Sequence, residues 1–129
     1  MEVGSKKLAS TIARILDDKL AKDILILNIS NVSVMSDYFV IASGTSAPQV
    51  KALSENVKER IKEIFSRTPT GKENDPKNRW NLLDYGDVVV HVMHEEQRQI
   101  YALEKFWNHA LKMDRAVWEE ESKEFSTYN

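Results

Sequence analysis

Two short apolar runs constrain the fold of this chain more than any other feature. Residues 24–27 read ILIL and residues 38–41 read YFVI, so apolar side chains occupy successive positions without a break. Runs of this length are too short for a buried helix, and a strand places successive side chains on opposite faces of its sheet. We therefore predict two strands that are covered on both faces.

Helical periodicity supplies the elements that cover this sheet. Apolar residues recur at steps of three and four after Ser5, which we predict to be an N-cap. The same spacing returns after Ser46, where Gln49 completes the pattern of a capping box. Residues 95–111 show a third amphipathic stripe. Three helices are therefore predicted.

A second pair of strands follows the second helix. Residues 80–84 and 87–93 have strand patterns and are separated by Tyr85 and Gly86, which predicts a tight antiparallel hairpin. The polar residues 67–78 before it are predicted to form a loop. The element order is α-β-β-α-β-β-α, and the helix between the second and third strands requires a crossover that joins parallel strands. The predicted class is α/β, with a mixed β-sheet covered by helices.

Length and composition suit one domain. The chain has 129 residues, of which 42% are hydrophobic, and this is enough to bury one core. We predict a single α/β domain over residues 1–111 and an acidic C-terminal tail over residues 112–129. Val117 and Trp118 are able to dock this tail, and from Glu119 onward we expect a solvated or disordered chain.

The composition also bears on the compartment of the protein. The chain contains no cysteine, which excludes disulfides and thiolate metal sites and is compatible with a reducing cytosol. Its apolar runs fall far short of a membrane span, and its first residues lack the features of a signal peptide. We expect a soluble protein that does not engage a membrane.

The net charge of −2 is unevenly distributed. Residues 1–83 contain 13 basic and 10 acidic side chains, whereas residues 84–129 contain 5 basic and 10 acidic ones. Nucleic-acid binding usually requires a dense basic face, and phosphate repels an acidic surface. The pattern therefore favours either a partner with a basic protein surface or an acidic run that only solvates the chain end.

Three stretches resemble the ribosomal silencing factor (Iojap) family. They are SDYFVIASGTS at residues 36–46, WNLLDYGDVVVHVMHEE at residues 80–96 and IYALEKFW at residues 100–107. In outline, residues 8–107 align with the family. The sequence ENDPKNR before Trp80 departs from the glycine-containing approach that is usual there.

The resemblance implies a homodimeric translational repressor. It would bind the large ribosomal subunit through the ribosomal protein numbered fourteen, block association with the small subunit and lower translation when nutrients are short. Family members in mitochondria and plastids carry targeting extensions and act in large-subunit assembly, which is the alternative function. This chain shows no such extension, so we expect it in a bacterial cytoplasm.

Candidate partner-binding residues cluster at the predicted hairpin. Trp80 stands at its entrance after a loop, where it either buries a large area against a partner or packs on its own core. Leu82 shares the face of Trp80. Asp84 either meets a basic partner or shapes the turn, and the phenol of Tyr85 would bridge apolar and wet surface. We predict that Trp80→Ala leaves the fold intact and weakens large-subunit binding.

Two further candidates come from the third helix. Glu104 and Trp107 match the LExLW pattern of the family that the chain resembles, and they are secondary candidates for the contact surface. Trp107 also lies on the apolar stripe of the helix, a position that suits a core residue.

Enzymatic alternatives have weaker support. Residues 44–46 follow a strand and open a helix, where an anion could bind, and the layout is distantly similar to the nucleotidyltransferase fold. That fold needs carboxylates on one strand face, whereas Asp84 and Asp87 flank a turn. We therefore expect a protein that is not an enzyme and has no cofactor.

Metal and RNA binding are the remaining alternatives. His91 and His94 would lie on opposite faces of a strand, so we predict no shared metal. Four basic residues of the second helix alternate with glutamates at helical spacings: Lys51, Lys58, Arg60 and Lys62 with Glu55, Glu59 and Glu63. This indicates intrahelical pairing, so RNA contact is expected to be peripheral at most.

Overall fold

A central β-sheet with helices packed on it organises the chain. The structure is a computed structural model that describes residues 3–101 and 110–126. Its elements are α1 (Ser5–Asp18), β1 (Lys22–Asn28), β2 (Tyr38–Gly44), α2 (Ala47–Phe65), β3 (Gly71–Asn74), β4 (Trp80–Asp84), β5 (Val88–His94), α3 (Glu95–Tyr101), β6 (Leu111–Lys112) and α4 (Arg115–Glu121), followed by a 3-10 turn at Lys123–Phe125. Within these described ranges no helix is long and apolar enough to cross a membrane.

The sheet is mixed, as the sequence predicts. The strand order is β3-β4-β5-β2-β1-β6, in which β2 and β5 are parallel and all other neighbours are antiparallel. The predicted crossover is wrong in one respect, because the parallel partner of β2 is β5 and not β4. The reason is burial: six of the seven residues of β5 are buried, which suits the centre of a sheet, whereas β4 alternates between buried and partly exposed residues.

Both faces of the sheet carry apolar side chains. Helices α1 and α2 cover one face, which we call the helix-side face, and residues from both helices and from the strands form the main core there: Leu8, Ile12, Leu16, Val50, Val57, Ile61, Ile26, Val40, Val90 and Val92. The other face, which we call the opposite face, carries a smaller cluster of Leu27, Ile29, Ile41 and Met93, with Leu25, Phe39, Trp80 and Ala110 packed around it. Strands covered on both faces are therefore confirmed.

The helix starts differ in detail from the prediction. The capping pattern before α2 is confirmed, since Ser46 Oγ accepts a hydrogen bond from the backbone N–H of Gln49 at 3.2 Å. The prediction that Ser5 caps α1 is wrong. Ser5 is the first helical residue, and Gly4 takes the N-cap position without a side-chain bond. The hydrogen bond from Leu8 N to Gly4 O at 3.0 Å closes the first turn.

Two short strands at the sheet edges were not predicted. β3 lies within the predicted loop of residues 67–78 and pairs with β4, because polar residues are common in edge strands. β6 pairs with β1, so the predicted third helix is wrong at its end, where Leu111 lies opposite Asn28 in the sheet. Pairing with β1 satisfies backbone groups at an edge, which periodicity does not reveal. Residues 102–109 of that prediction lie outside the described residues.

The C-terminal segment packs on α1. Trp118 of α4 is only 2% exposed and belongs to the main core. Arg14 of α1 donates from Nε to Ser122 Oγ at 2.8 Å and from Nη2 to the carbonyl oxygen of Glu119 at 2.6 Å. The expectation of a solvated or disordered chain from Glu119 onward is therefore wrong for residues 119–126. One buried tryptophan outweighs the acidic run, and Glu119, Glu120 and Glu124 remain exposed. A domain boundary at residue 111 stays a prediction.

Candidate partner-binding surface

Strand β4 presents two different faces. Trp80, Leu82 and Asp84 are partly exposed, whereas Asn81 and Leu83 between them are buried. Leu83 belongs to the helix-side core and Trp80 packs with the cluster on the opposite face. Since side chains alternate along a strand, Leu82 shares the face of Trp80, which confirms that prediction. The opposite face near β4 therefore carries apolar side chains that solvent still reaches.

Trp80 is partly packed and partly exposed. Its ring lies against the small cluster of the opposite face, and its indole Nε1 donates a hydrogen bond to Nδ1 of His91 at 3.1 Å. The two ring centroids are 6.0 Å apart. Packing of Trp80 on its own core is therefore present in part, and burial of its remaining exposed surface against a partner stays a prediction.

Asn81 determines which way β4 faces. Its side chain is 1% exposed, and Nδ2 donates to Ser54 Oγ on α2 at 3.2 Å and to Asn78 Oδ1 at 3.2 Å. Its Oδ1 accepts from the backbone N–H of Asp75 at 3.2 Å. A buried amide needs such partners, and those of Asn81 are Ser54 on α2 and two residues of the segment before β4. Trp80 next to it is consequently turned to the opposite face.

Asp84 shapes the hairpin turn. Its Oδ1 accepts from the backbone N–H of Gly86 at 2.8 Å, and Gly86 has a φ of +89°, a conformation that favours glycine. The carbonyl oxygen of Asp84 also accepts from Thr70 N at 2.8 Å, which ties the turn to the residues before β3. The turn-shaping role considered from the sequence is therefore present. Contact of the partly exposed carboxylate with a basic partner stays a prediction.

Tyr85 does not occupy the position that the sequence suggested. It is only 2% exposed and packs in the main core on the helix side. Burial raises the pKa of its phenol to about 12, although Arg67 nearby opposes this shift. Among the described residues its hydroxyl has no hydrogen-bond partner. The prediction of a phenol that bridges apolar and wet surface is wrong, because Tyr85 continues the alternation of β4 and shares the buried, helix-side face of Leu83.

The two candidates from the third helix, Glu104 and Trp107, lie outside the described residues. Of that helix, the structure describes Glu95–Tyr101 as α3. Arg98 on α3 donates from Nη1 to Ser43 Oγ at 3.0 Å, and this bond fastens the helix to the end of β2. The start of the helix is therefore anchored to the sheet that carries Trp80.

Two residues of this surface were not selected from the sequence. Phe39 on β2 is partly exposed, and its ring meets that of His91 edge-on, with centroids 4.9 Å apart and planes at 67°. His91 is 6% exposed, and burial lowers the pKa of its imidazole to about 4. Both belong to strands that are apolar on both faces, so their pattern does not indicate which face remains accessible. Only the position of the helices decides it.

The groups considered for catalysis are engaged within the chain. The backbone N–H of Thr45, before α2, donates to Gln49 Oε1 at 2.7 Å. Asp87 forms an ion pair with Arg67 at 3.0 Å, and Asp84 holds the turn. Across residues 3–101 and 110–126, no three His, Cys, Asp or Glu side chains are grouped as a metal ion would require. These contacts give the carboxylates structural roles.

His91, His94 and one basic residue of α2 also have local partners. His91 Nδ1 accepts from Trp80, while His94 Nδ1 accepts from the backbone N–H of Glu96 at 3.2 Å. On α2, Arg60 Nη1 donates to Glu63 Oε2 at 3.1 Å. Intrahelical pairing is confirmed for this pair, and it reduces the positive charge that the helix offers to RNA.

Comparison with known proteins gives consistent matches over nearly the whole chain. A family model described as "Ribosomal silencing factor during starvation" matches residues 2–129. A ribosomal silencing factor of Bacillus subtilis is 39% identical over 112 residues, which cover 87% of this chain and 94% of the relative. A mouse protein named "Mitochondrial assembly of ribosomal large subunit protein 1" is 31% identical over 110 residues, or 81% of this chain and 47% of that protein. A crystal structure of a Chromobacterium violaceum protein superposes with a TM-score of 0.78 at 33% identity, covering 82% of this chain and 88% of the other.

Proposed function

Because this chain belongs to the ribosomal silencing factor family, we propose that it binds the large ribosomal subunit and represses translation by keeping the small subunit from joining. The family match over residues 2–129 and the relative from Bacillus subtilis support a ribosome-associated role. The name of the mouse relative supports the large subunit as the partner. The mechanism is occupation of a docking surface.

The proposed contact surface is the opposite face of the sheet at β4. The observation that carries this proposal is a tryptophan, Trp80, that is pinned by packing and a hydrogen bond yet remains partly exposed. Aromatic anchors on rigid elements dominate the energy of protein interfaces because they bury a large area and lose little freedom on binding. Leu82 extends the apolar surface, and Asp84 lies at its rim.

The sequence resemblance is what suggests which component of the large subunit the protein contacts. We propose the ribosomal protein numbered fourteen, and a complex there would exclude the small subunit sterically. The charge distribution supports a protein partner with a basic surface, since residues 84–129 hold 10 acidic and 5 basic side chains. An acidic half would weaken direct contact with RNA phosphates.

We also propose that the protein acts in the cytoplasm, as a homodimer and without catalysis. The resemblance of the three motifs supports the dimer. The structural roles of Asp84 and Asp87 support blocking in place of chemistry, because each carboxylate already has a partner within the hairpin region.

Assembly of the large subunit is the second candidate function. It is favoured by the printed name of the mouse relative, of which this chain spans about half the length. Both functions require binding to the large subunit. They differ in whether a mature subunit that carries the protein still joins its small partner.

A subunit-joining assay by light scattering tests the proposal. Purified large subunits are incubated with the protein before small subunits are added, and we expect less joining as the protein concentration rises. Val117→Ala serves as a control for a change away from the contact surface. Its helix, α4, packs against α1 in the helix layer and not on the opposite face of the sheet. Normal joining by large subunits that cosediment with the protein would reject repression and leave assembly. Absence of cosedimentation would reject both functions.

A further inference from the structure

Three aromatic rings lie in a diagonal row across the opposite face. His91 on the central strand β5 pairs with Ile41 on β2 and with Leu82 on β4. Phe39 and Trp80 occupy the diagonal positions on its two sides, with ring centroids 4.9 and 6.0 Å from that of His91. Diagonal neighbours in a sheet are within reach when the side chains are aromatic. His91 therefore stands between two rings that are more exposed than its own.

The hydrogen bond between Trp80 and His91 fixes the state of the imidazole. An indole N–H only donates, so Nδ1 of His91 must present a lone pair and the proton of the neutral ring must be on Nε2. Burial agrees with this, since it lowers the pKa of His91 to about 4 and keeps the ring neutral near pH 7. If Nδ1 were protonated, its N–H and the indole N–H of Trp80 would point at each other and repel, and the hydrogen bond would be lost.

His91 has little surface of its own to offer a partner. It is 6% exposed, whereas Trp80 and Phe39 are partly exposed. Its Nε2 is buried and has no hydrogen-bond partner among the described residues. A buried donor without a partner is unfavourable, so a histidine that served only to fill space would be replaced with advantage by an apolar side chain of similar size.

We propose that His91 is the positioning residue for Trp80, an inference that rests on the proposed function. Its Nδ1 accepts the indole N–H, and Phe39 supports the imidazole from the other side, so that the indole is held before binding in the orientation that meets the large subunit. His91 acts through Trp80 and does not contact the partner. Preorganisation of this kind improves affinity because less side-chain freedom is lost on binding.

Two variants of nearly equal shape isolate the hydrogen bond. His91→Asn retains an acceptor atom at the place of Nδ1, whereas His91→Leu has the same branching and no acceptor. His91→Phe is a second variant without an acceptor, which keeps a ring beside Phe39 and serves if the leucine variant does not fold. Thermal melting of each variant verifies the fold before binding is measured.

The first readout is the indole N–H of Trp80 in ¹H–¹⁵N spectra of the full chain. Trp80→Phe assigns this signal among the three tryptophans of the sequence. We expect its chemical shift and slow solvent exchange to persist in His91→Asn and to change in His91→Leu, and we expect unprotonated Nδ1 in the native chain. An unchanged signal in His91→Leu, or a proton on Nδ1, would overturn the proposal.

The second readout is affinity for purified large subunits. We expect His91→Leu to weaken binding about 5-fold, as for the loss of one ordinary hydrogen bond, and His91→Asn to remain within about 2-fold of the native chain. In a Trp80→Phe background the leucine substitution should have no further effect. If His91→Leu lowered the affinity equally in the native and Trp80→Phe backgrounds, His91 would act independently of Trp80. That result would reject the positioning role but not the contact surface. Native affinity of Trp80→Phe and Trp80→Ala would reject the contact surface itself.

Discussion

Asn81 on β4 donates a hydrogen bond from Nδ2 to Ser54 Oγ on α2 at 3.2 Å, and Trp80 beside it faces the other side of the sheet. Ser54 Oγ in turn donates to the carbonyl oxygen of Val50 at 2.8 Å, so the amide is joined to the helix backbone. A polar pair buried under α2 therefore orients the strand that carries the candidate contact residues.

Replacement of Asn81 by alanine should destabilise the fold. The change removes a buried amide, leaves the N–H of Asp75 without its acceptor and opens a small cavity, which together are expected to cost about 2–3 kcal/mol. Urea unfolding monitored by circular dichroism gives the difference. Asn31→Ala in the exposed β1–β2 loop is the matched control and should change stability by less than about 0.5 kcal/mol. Equal stabilities would show that the amide does not hold β4.

Trp80→Ala should separate binding from folding. As an exposed anchor it is expected to contribute about 2 kcal/mol or more to binding, which corresponds to roughly a 30-fold loss of affinity for large subunits. The loss of folding free energy should be smaller, about 1–2 kcal/mol, because the ring is only partly buried. Quantitative cosedimentation and urea unfolding measure the two effects. Native affinity of a well-folded variant would remove Trp80 from the surface.

Tyr85→Phe should leave large-subunit binding unchanged and maintain or increase stability. The phenol is 2% exposed and its hydroxyl has no partner among the described residues, so removing that oxygen removes an unfavourable burial worth up to about 1 kcal/mol. Spectroscopic titration provides a second measurement. With a pKa of about 12 in the folded chain, above the usual 10.0, the native chain loses stability as the pH rises from 10 toward 12, because only the unfolded chain ionises there, and Tyr85→Phe should lack this loss. Weaker binding of large subunits by Tyr85→Phe would contradict this and show that the Tyr85 hydroxyl contributes to the contact.

Trp118→Ala should show that the C-terminal segment belongs to the folded unit. A tryptophan buried to this degree is expected to cost about 3–5 kcal/mol when truncated. Its neighbour Val117 is 39% exposed, so Val117→Ala should cost less than about 1 kcal/mol. The pair is compared by urea unfolding. Similar small losses for both variants would mean that α4 adds little to the core.

When the pH is lowered, the native chain should lose stability more steeply than the His91→Asn variant. The pKa of His91 is about 4 in the folded chain and about 6.5 in the unfolded one, so only the unfolded chain binds the proton between these values. The contribution of neutral His91 to the free energy of unfolding is fully present above pH 6.5. It is lost as the pH falls toward 4, by about 2 kcal/mol between pH 7 and pH 5. Urea unfolding at both pH values measures this excess. Equal pH dependence in the two proteins would contradict a neutral, buried His91.

Several parts of the fold follow from local pattern. The runs at residues 24–27 and 38–41 are apolar on both faces, and the structure places Ile26 and Leu27 in separate clusters on the two sides of the sheet. The bond from Gln49 N to Ser46 Oγ also follows from the pattern, since a capping box depends on residues three positions apart. Such interactions are local, so the sequence contains all that they need.

The edge strands and the position of Tyr85 could not be predicted in the same way. β6 exists because Leu111 and Lys112 meet β1, more than eighty residues earlier in the chain, and β3 because it meets β4. The alternation of β4 puts Tyr85 on the face of Asn81 and Leu83, but the sequence does not specify that the helices cover this face. Pairing of β6 depends on a neighbour that is distant in sequence, whereas β3 pairs with the nearby β4 through a polar stretch that has no strand pattern.

By itself the sequence determined the first two helices, the start of the third, the four longer strands, the mixed sheet and the resemblance to a family, because propensity, periodicity and motifs act over a few residues. It also determined that Trp80 and Leu82 share a face. Tertiary structure alone decided that this face is the one opposite α1 and α2, that Trp80 is held by His91, and that Trp118 docks the acidic end. The physical reason is that burial depends on which surfaces meet, and a strand with apolar residues on both faces does not specify in its sequence which face the helices will cover.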